Sequence, residues 1–487
     1  MISAVVAAVR IQQWISRTTD LYLVRGASEA LSKQTKHALI DGKLKSASLT
    51  ARTDPNAPDI DGVVVMAAAT AADAEAAIEW LLVDLAQRLP GVEWTGWAHE
   101  AADYVTAYDH VNVLNQSPSV GRWHRPPLTV DIPIGLGCDG CAQETATASI
   151  THNDSVRLGP DCIARFDAND WKKEKDRPED FDALARFGGL RPGQREWVVG
   201  RRGARNHLAT IAADGNRVGE LFKTLASLPG EVQHAASKAL DEANAQAIAC
   251  ARGPWNGAKV AVLIKHYAGG DDLLLSVAAP AAWPLIAQLS AEFERAFQEK
   301  LKANLTGIDL SEPQRRLLQA KCAQVSLGIG VVFANRKHPF AHCARVAHTA
   351  MSYAKRATRG ERSAVSWADL TVEDRAVRER SVALSELQDD ISPTPSAEAT
   401  SRLEVLTLNS SARDAVQGIL LEGRRGQYPP AVIAGHLESW ARRTGNELPG
   451  MDEAKSWTGD HLDEFDALLD RARWWPVQQA APAEVIA

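Results

Sequence analysis

Residues 258–279, AKVAVLIKHYAGGDDLLLSVAA, are two apolar runs joined by Gly269, Gly270, Asp271 and Asp272. Two β-prone runs separated by turn-forming residues read as a hairpin with buried strands. Two adjacent like charges at its tip are costly unless something compensates them.

The surrounding pattern narrows the fold. A strand at 206–212 (NHLATIA) ends in Asp214-Gly215-Asn216 and is followed by helical RVGELFKTLASL and a longer helix from Glu231 to Arg252. After the hairpin come a helix over 281–303, a strand at 324–334 (QVSLGIGVVFA) and a helix, FAHCARVAHTAMSYAKRA. The order is β-α-β-β-α-β with a final helix, a ferredoxin-like unit. In that topology the first and second strands run parallel with the third between them, so Asp214 converges on Asp271 and Asp272.

Three carboxylates held together repel one another and raise each other's pKa unless a cation sits between them. Mg²⁺ suits the position, because it takes a few hard oxygen ligands and leaves places open for phosphate. Gly269 and Gly270 are expected to supply positive φ in the turn and to leave room for a nucleotide against the backbone. Metal ions on such carboxylates activate a hydroxyl and stabilise a pyrophosphate leaving group. The plain alternative is that GGDD is a turn and nothing more; Asp214 at the matching strand end weighs for a nucleotide and metal site.

The motifs HLATIAADGNRVGELF, KHYAGGDDLLLSVA and VSLGIGVVFANRKHPFAHCARVAHTAMSYAKRA, in this order and spacing, resemble the palm domain of the large polymerase-like subunit of type III CRISPR effector complexes. The GGDEF nucleotide cyclases are its nearest cousins. The resemblance covers about 150 residues of the second palm, as counted from these motifs. At the N-terminus, IQQWISRTTDLYLVRGASEALS resembles the start of the family's first, non-catalytic palm, although an ordinary amphipathic helix explains that segment as well. The resemblance implies conversion of ATP to cyclic oligoadenylates when a crRNA-guided complex of several subunits pairs with target RNA. It implies Asp214, Asp271 and Asp272 as ligands of Mg²⁺ or Mn²⁺, Gly269 and Gly270 as the turn under the nucleotide, with Asn216 after Asp214 at the nucleotide side. It implies Lys355 as the lysine that neutralises triphosphate, the alternative being a solvated helix lysine. Ser326 either sits near the base or fills a strand position.

The family carries a zinc-binding insertion between its palms, and Cys138 and Cys141 lie in the right place with CxxC spacing. Only Cys162 follows where a second pair is expected. Structural Zn²⁺ takes four ligands, so His152 or His124 is expected to supply the fourth, with His152 favoured by its place between the cysteines. A relic loop with reduced thiols is the other reading. Cys250, Cys322 and Cys343 read as core residues, as do most of the fourteen tryptophans. Arg195, Arg201, Arg202 and Arg205 precede the first strand of the unit and read either as a contact to triphosphate or RNA backbone or as a solvated loop.

The resulting expectation is an α+β chain with two ferredoxin-like palms, at 1–128 and 201–360, a zinc-ribbon-like insertion at 129–200 and a helical domain at 361–487, where strand signals nearly vanish. With 487 residues and 45% hydrophobic content, several cores are affordable. A net charge of −7 excludes binding nucleic acid by bulk electrostatics, so any RNA is held with partners. The apolar start lacks a basic n-region and a cleavage site, and no stretch approaches the roughly 18 apolar residues of a membrane span; a cytoplasmic protein is expected. No His-Asp dipeptide occurs, so no DNase activity of the family's nuclease type is expected. Two other functions stay open: a stand-alone GGDEF-like cyclase making a cyclic (di)nucleotide, and a catalytically silent RNA-binding scaffold.

Overall fold

The computed structural model describes residues 2–18, 20–55, 57, 61–101, 107, 123–128, 134–151, 155–169, 181–187, 206–225, 228–252, 263–371, 380–446, 448 and 456–475. The fold is α+β and built on two sheets. The first contains β1 (Ile2–Val9), β2 (Arg52–Thr53), β3 (Val63–Ala68), β4 (Glu93–Glu100) and β5 (Trp123–Arg125) in the order β2-β3-β1-β4-β5. β1 pairs antiparallel with both β3 and β4, so β1 to β4 have ferredoxin-like order. The apolar N-terminal run is thus a central strand. Helix Ala71–Arg88 covers this sheet. Thr70 caps its first turn by accepting from the Asp73 amide, and it buries Ala74, Ala77, Ile78, Leu81, Leu82 and Leu85.

A small hairpin, β6 (Ala148–Thr151) and β7 (Ser155–Leu158), stands between the two sheets in sequence. The second sheet holds β8 (His207–Asn216), β9 (Leu263–Gly269), β10 (Asp272–Ala278), β11 (Ser326–Asn335), β12 (Ala364–Asp369) and β13 (Ser381–Ala383) in the order β13-β12-β11-β8-β10-β9. β8 to β11 form the expected β-α-β-β-α-β unit, with β10 antiparallel to and between β8 and β9. The stretch after residue 361 departs from its expected lack of strands, because β12 joins β11 in parallel and β13 follows. All six residues of β12 are buried, so it shows none of the in-out alternation by which an isolated strand is read.

Alternate residues of the second sheet enter different cores. Ile211, Ala213, Leu273, Leu275 and Val331 pack with helices Gly230–Arg252 and Ala282–Asn304, in a core that continues into the C-terminal helices through Val416, Leu437, Leu469 and Trp475. Ala212, Leu274 and Val332 face the other way, onto helix Phe340–Thr358, and share one core with Val6, Val24, Leu31 and Met66 of the first sheet and its helices. Helix Phe340–Thr358 is therefore clamped between the two sheets. Gly330 makes this possible: a Cβ there would lie 1.9 Å from the Ala347 carbonyl oxygen. Among the described residues no helix is long and apolar enough to cross a membrane.

Candidate active site

The turn between β9 and β10 has two residues, Gly270 and Asp271, closed by pairing of Gly269 with Asp272. Gly270 has φ +59°, the glycine-first pattern of a tight hairpin loop. Gly269 was expected to need positive φ and does not; it is ordinary strand, and its lack of a side chain makes room for the Tyr267 hydroxyl, 2.6 Å from where a Cβ would stand. The side-chain amide of Asn244 donates to the Gly270 carbonyl at 2.5 Å and ties the turn to helix Gly230–Arg252.

β8 pairs Ala213 with Leu273 on one side and Asp214 with Gly328 on the other. Asp214 consequently lies beside Asp271 and Asp272, close enough for its charge to raise both carboxyls. Gly215 permits the approach, since a Cβ on it would meet the Asp271 Cβ at 2.8 Å. Burial first, then the charges of Asp214 and Asp272, push the Asp271 carboxyl up to about 7. Burial and Asp214 raise Asp272 to about 6 against the opposing charge of Lys355.

Lys355 projects from helix Phe340–Thr358 across β11. Its Nζ pairs with Asp214 and donates to the Gly215 carbonyl at 3.1 Å. The path exists because residue 328 is glycine: a Cβ there would stand 2.4 Å from the Lys355 Cγ. The solvated alternative for this lysine falls away. Asn216 donates to Ser326 Oγ at 2.9 Å, and Ser326 lies directly opposite it in the sheet. Ser326 thus orients Asn216, whose Oδ1 is buried without a hydrogen-bond partner. A buried orphan acceptor beside Lys355 and three carboxylates is a polar gap that invites a donor.

Sequence reading missed two residues that the fold brings here. The Gln12 side chain, on short helix Ile11–Ile15 after β1, lies near Asp272, where it favours the charged carboxylate, and meets His348 Nε2 at 3.0 Å. A glutamine in a short helix and a histidine on an apolar helix face carry no motif. Only the packing of the two sheets joins them.

Cys138, Cys141, Cys162 and Glu144 place one ligand atom each within 4.8 Å of one another. Hydrogen bonds from Cys141 and Cys162 favour the thiolate at Cys138, and contacts with Cys138 and Cys141 together with burial raise the Cys162 thiol. Glu144 also caps helix Pro160–Ala168, accepting from the Asp161 and Cys162 amides at 3.2 and 3.1 Å. His124 is in β5, 2.9 Å from Glu93, and takes no part in this group. His152 and the arginines at 195, 201, 202 and 205 lie outside the described residues. Cys322 and Cys343 are buried as expected, and Cys250 is half-buried.

Fold and site together define a protein of two palm-like sheets with an acidic cluster at the hairpin of the second. Residues 207–365 match the family model for Cas10/Cmr2, second palm domain. No curated protein matches the chain by sequence. Its fold is similar to that of Csm1 from T. onnurineus, with TM-score 0.53 at 13% identity over 97% of this chain and 69% of that one. Two Csm1-Csm4 cassettes, one in complex with cA3 and one with one ATP, give TM-scores of 0.52 and 0.51 with the same identity and coverage.

Proposed function

We propose that this chain is a nucleotidyltransferase that joins ATP into cyclic oligoadenylates as the catalytic subunit of a type III CRISPR effector, in antiviral defence. The observation that carries the reading is the convergence of Asp214, Asp271, Asp272 and Lys355 on a segment that matches a Cas10/Cmr2 palm domain. The similar cassettes in complex with ATP and with cA3 support the substrate class.

The donor set fits Mg²⁺ or Mn²⁺: three hard carboxylates, two of them raised in pKa by burial and by their neighbours' charge, which a cation between them would relieve. When bound, such ions supply Lewis-acid activation of a hydroxyl and charge neutralisation at the leaving phosphate. The chain's own part is placement. Asp214, Asp271 and Asp272 would hold the ions, Gly269 and Gly270 keep the turn low beneath a nucleotide, and Lys355 sets positive charge beside the carboxylates. Asn216, fixed by Ser326, offers its free Oδ1 to a donor on the substrate. Catalysis then rests on positioning and charge.

Cys138, Cys141 and Cys162 with Glu144 or His152 would hold a structural Zn²⁺, for which three thiols and one further ligand are a fitting set. Palms at 1–128 and 201–360, the insertion at 129–200 and helices at 361–487 are the division we propose, with β12 and β13 extending the second sheet past 360. Companion subunits, crRNA and target RNA would surround the chain in the cytoplasm; the Csm4 partner of the similar cassettes supports this. The test is incubation of the chain, alone and with co-purifying partners and target RNA, with ATP and GTP plus Mg²⁺ or Mn²⁺. Mass spectrometry should find oligoadenylates that vanish in Asp271→Ala/Asp272→Ala. A cyclic dinucleotide would point to a stand-alone cyclase, and no product would leave a scaffold.

A further inference from the structure

We propose that Arg17, which follows helix Ile11–Ile15 next to the first sheet, is the counter-charge of the thiol cluster and sets how tightly that cluster holds Zn²⁺. The inference rests on the zinc reading of Cys138, Cys141, Cys162 and Glu144 given above and adds a positioning residue from a distant part of the chain.

The charge of the ligands calls for such a partner. Three thiolates and the Glu144 carboxylate outweigh the two positive charges of Zn²⁺ by two. Cys138, Cys162 and Glu144 are buried, so water answers little of that excess. Arg17 stands where it can. Its Nη2 donates to Cys141 Sγ at 3.5 Å and lies 4.0 Å from Glu144 Oε2. Its Nη1 is 3.5 Å from Asp161 Oδ2, and its side chain is 9% exposed. The other charges nearby have their own partners, Arg165 at 2.9 Å from Asp161 and Arg157 at 2.8 Å from Asp139. Among the described residues, Arg17 is the cation in contact with the ligand atoms. Its planar fork reaches a thiol and two carboxylates at once, which a lysine does less well.

The stretch that carries Arg17 is docked on the backbone that carries the ligands. Trp14 Nε1 donates to Asp161 Oδ1 at 3.0 Å, and the Thr18 hydroxyl donates to the Gly140 carbonyl at 2.6 Å. Arg165, fully buried, stacks over the Trp14 ring and donates to its carbonyl at 2.8 Å. Asp161 and Gly140 are the chain neighbours of Cys162 and Cys141. Arg17 is thus held on both sides, as a group that orients and balances a metal ligand has to be.

The experiment is competition for Zn²⁺ between the full chain and a chromogenic chelator, for wild type, Arg17→Met, Arg17→Gln and Arg17→Lys, with Cys138→Ser/Cys141→Ser as control. Arg17→Met and Arg17→Gln should bind Zn²⁺ at least about tenfold more weakly, and Arg17→Lys, which keeps the charge, should recover much of the loss. Either neutral variant decides the matter if the other does not fold, with far-UV circular dichroism as the check. Co²⁺ loaded into the neutral variants should still show thiolate-to-metal charge-transfer absorption, because the ligands themselves are intact. Unchanged Zn²⁺ affinity in a folded neutral variant, or an Arg17→Lys affinity as low as that of Arg17→Met, would overturn the inference while leaving the zinc site standing. Wild type that takes up no Zn²⁺, or uptake that survives in the cysteine control, would instead remove the zinc reading and this inference with it.

Discussion

Replacing Asp271 by Asn should make the metal-free protein more stable while it destroys the site. In the fold the Asp271 carboxyl is raised from 3.8 to about 7 by burial and by the neighbouring Asp214 and Asp272. A raised acid is favoured in its protonated form by the folded state, so its stabilising contribution is present below about pH 4 and lost as pH climbs through 7. A shift of about three units corresponds to a ceiling of about 4 kcal/mol. Asp271 and Asp272 are half-buried and only partly shielded from water, which reduces the expected penalty to about 2 kcal/mol. Asn keeps the shape and removes the charge. Thermal melts in chelator at pH 8 should show Asp271→Asn higher than wild type by roughly 4–8 °C, with the gap closing toward pH 4. Adding Mn²⁺ should raise wild type and leave the variant unmoved. A variant that melts at or below wild type at pH 8, or a gap independent of pH, would refute the argument that these carboxylates are held together at a cost.

Three further outcomes follow from the geometry. Lys355→Ala removes the cation paired with Asp214 and should lower ATP turnover by about 100-fold in steady-state assays, with intact far-UV circular dichroism. Gly328→Val should do the same without touching the lysine itself, because its Cβ would stand 2.4 Å from the Lys355 Cγ; turnover near wild type would show that the lysine's path is not needed. Cys162→Ser should reduce zinc measured by elemental analysis and lower the melting temperature, since Cys162 is buried in the thiol cluster; equal zinc content in both would return the module to reduced thiols.

The second sheet was legible because its strands are apolar runs bounded by turn chemistry, and the place of Asp214 followed from topology alone. What escaped reading depends on close approach. Gly215 and Gly328 matter for the space they leave to Asp271 and Lys355, which no local pattern reveals. Gln12 and Asp272 are 260 positions apart by their numbers and come near each other only because one core joins the two sheets. Glu144 carries no motif; helix Pro160–Ala168 places two amides against it. β12 hid because a strand buried on both faces shows no alternation.

The most direct test of the central claim is anomalous diffraction from crystals grown with Mn²⁺ and a non-hydrolysable ATP analogue. The account predicts Mn²⁺ density between Asp214, Asp271 and Asp272, with the analogue's phosphates beside it over the Gly269-Gly270 turn. Nucleotide bound elsewhere with no Mn²⁺ at these carboxylates would contradict it.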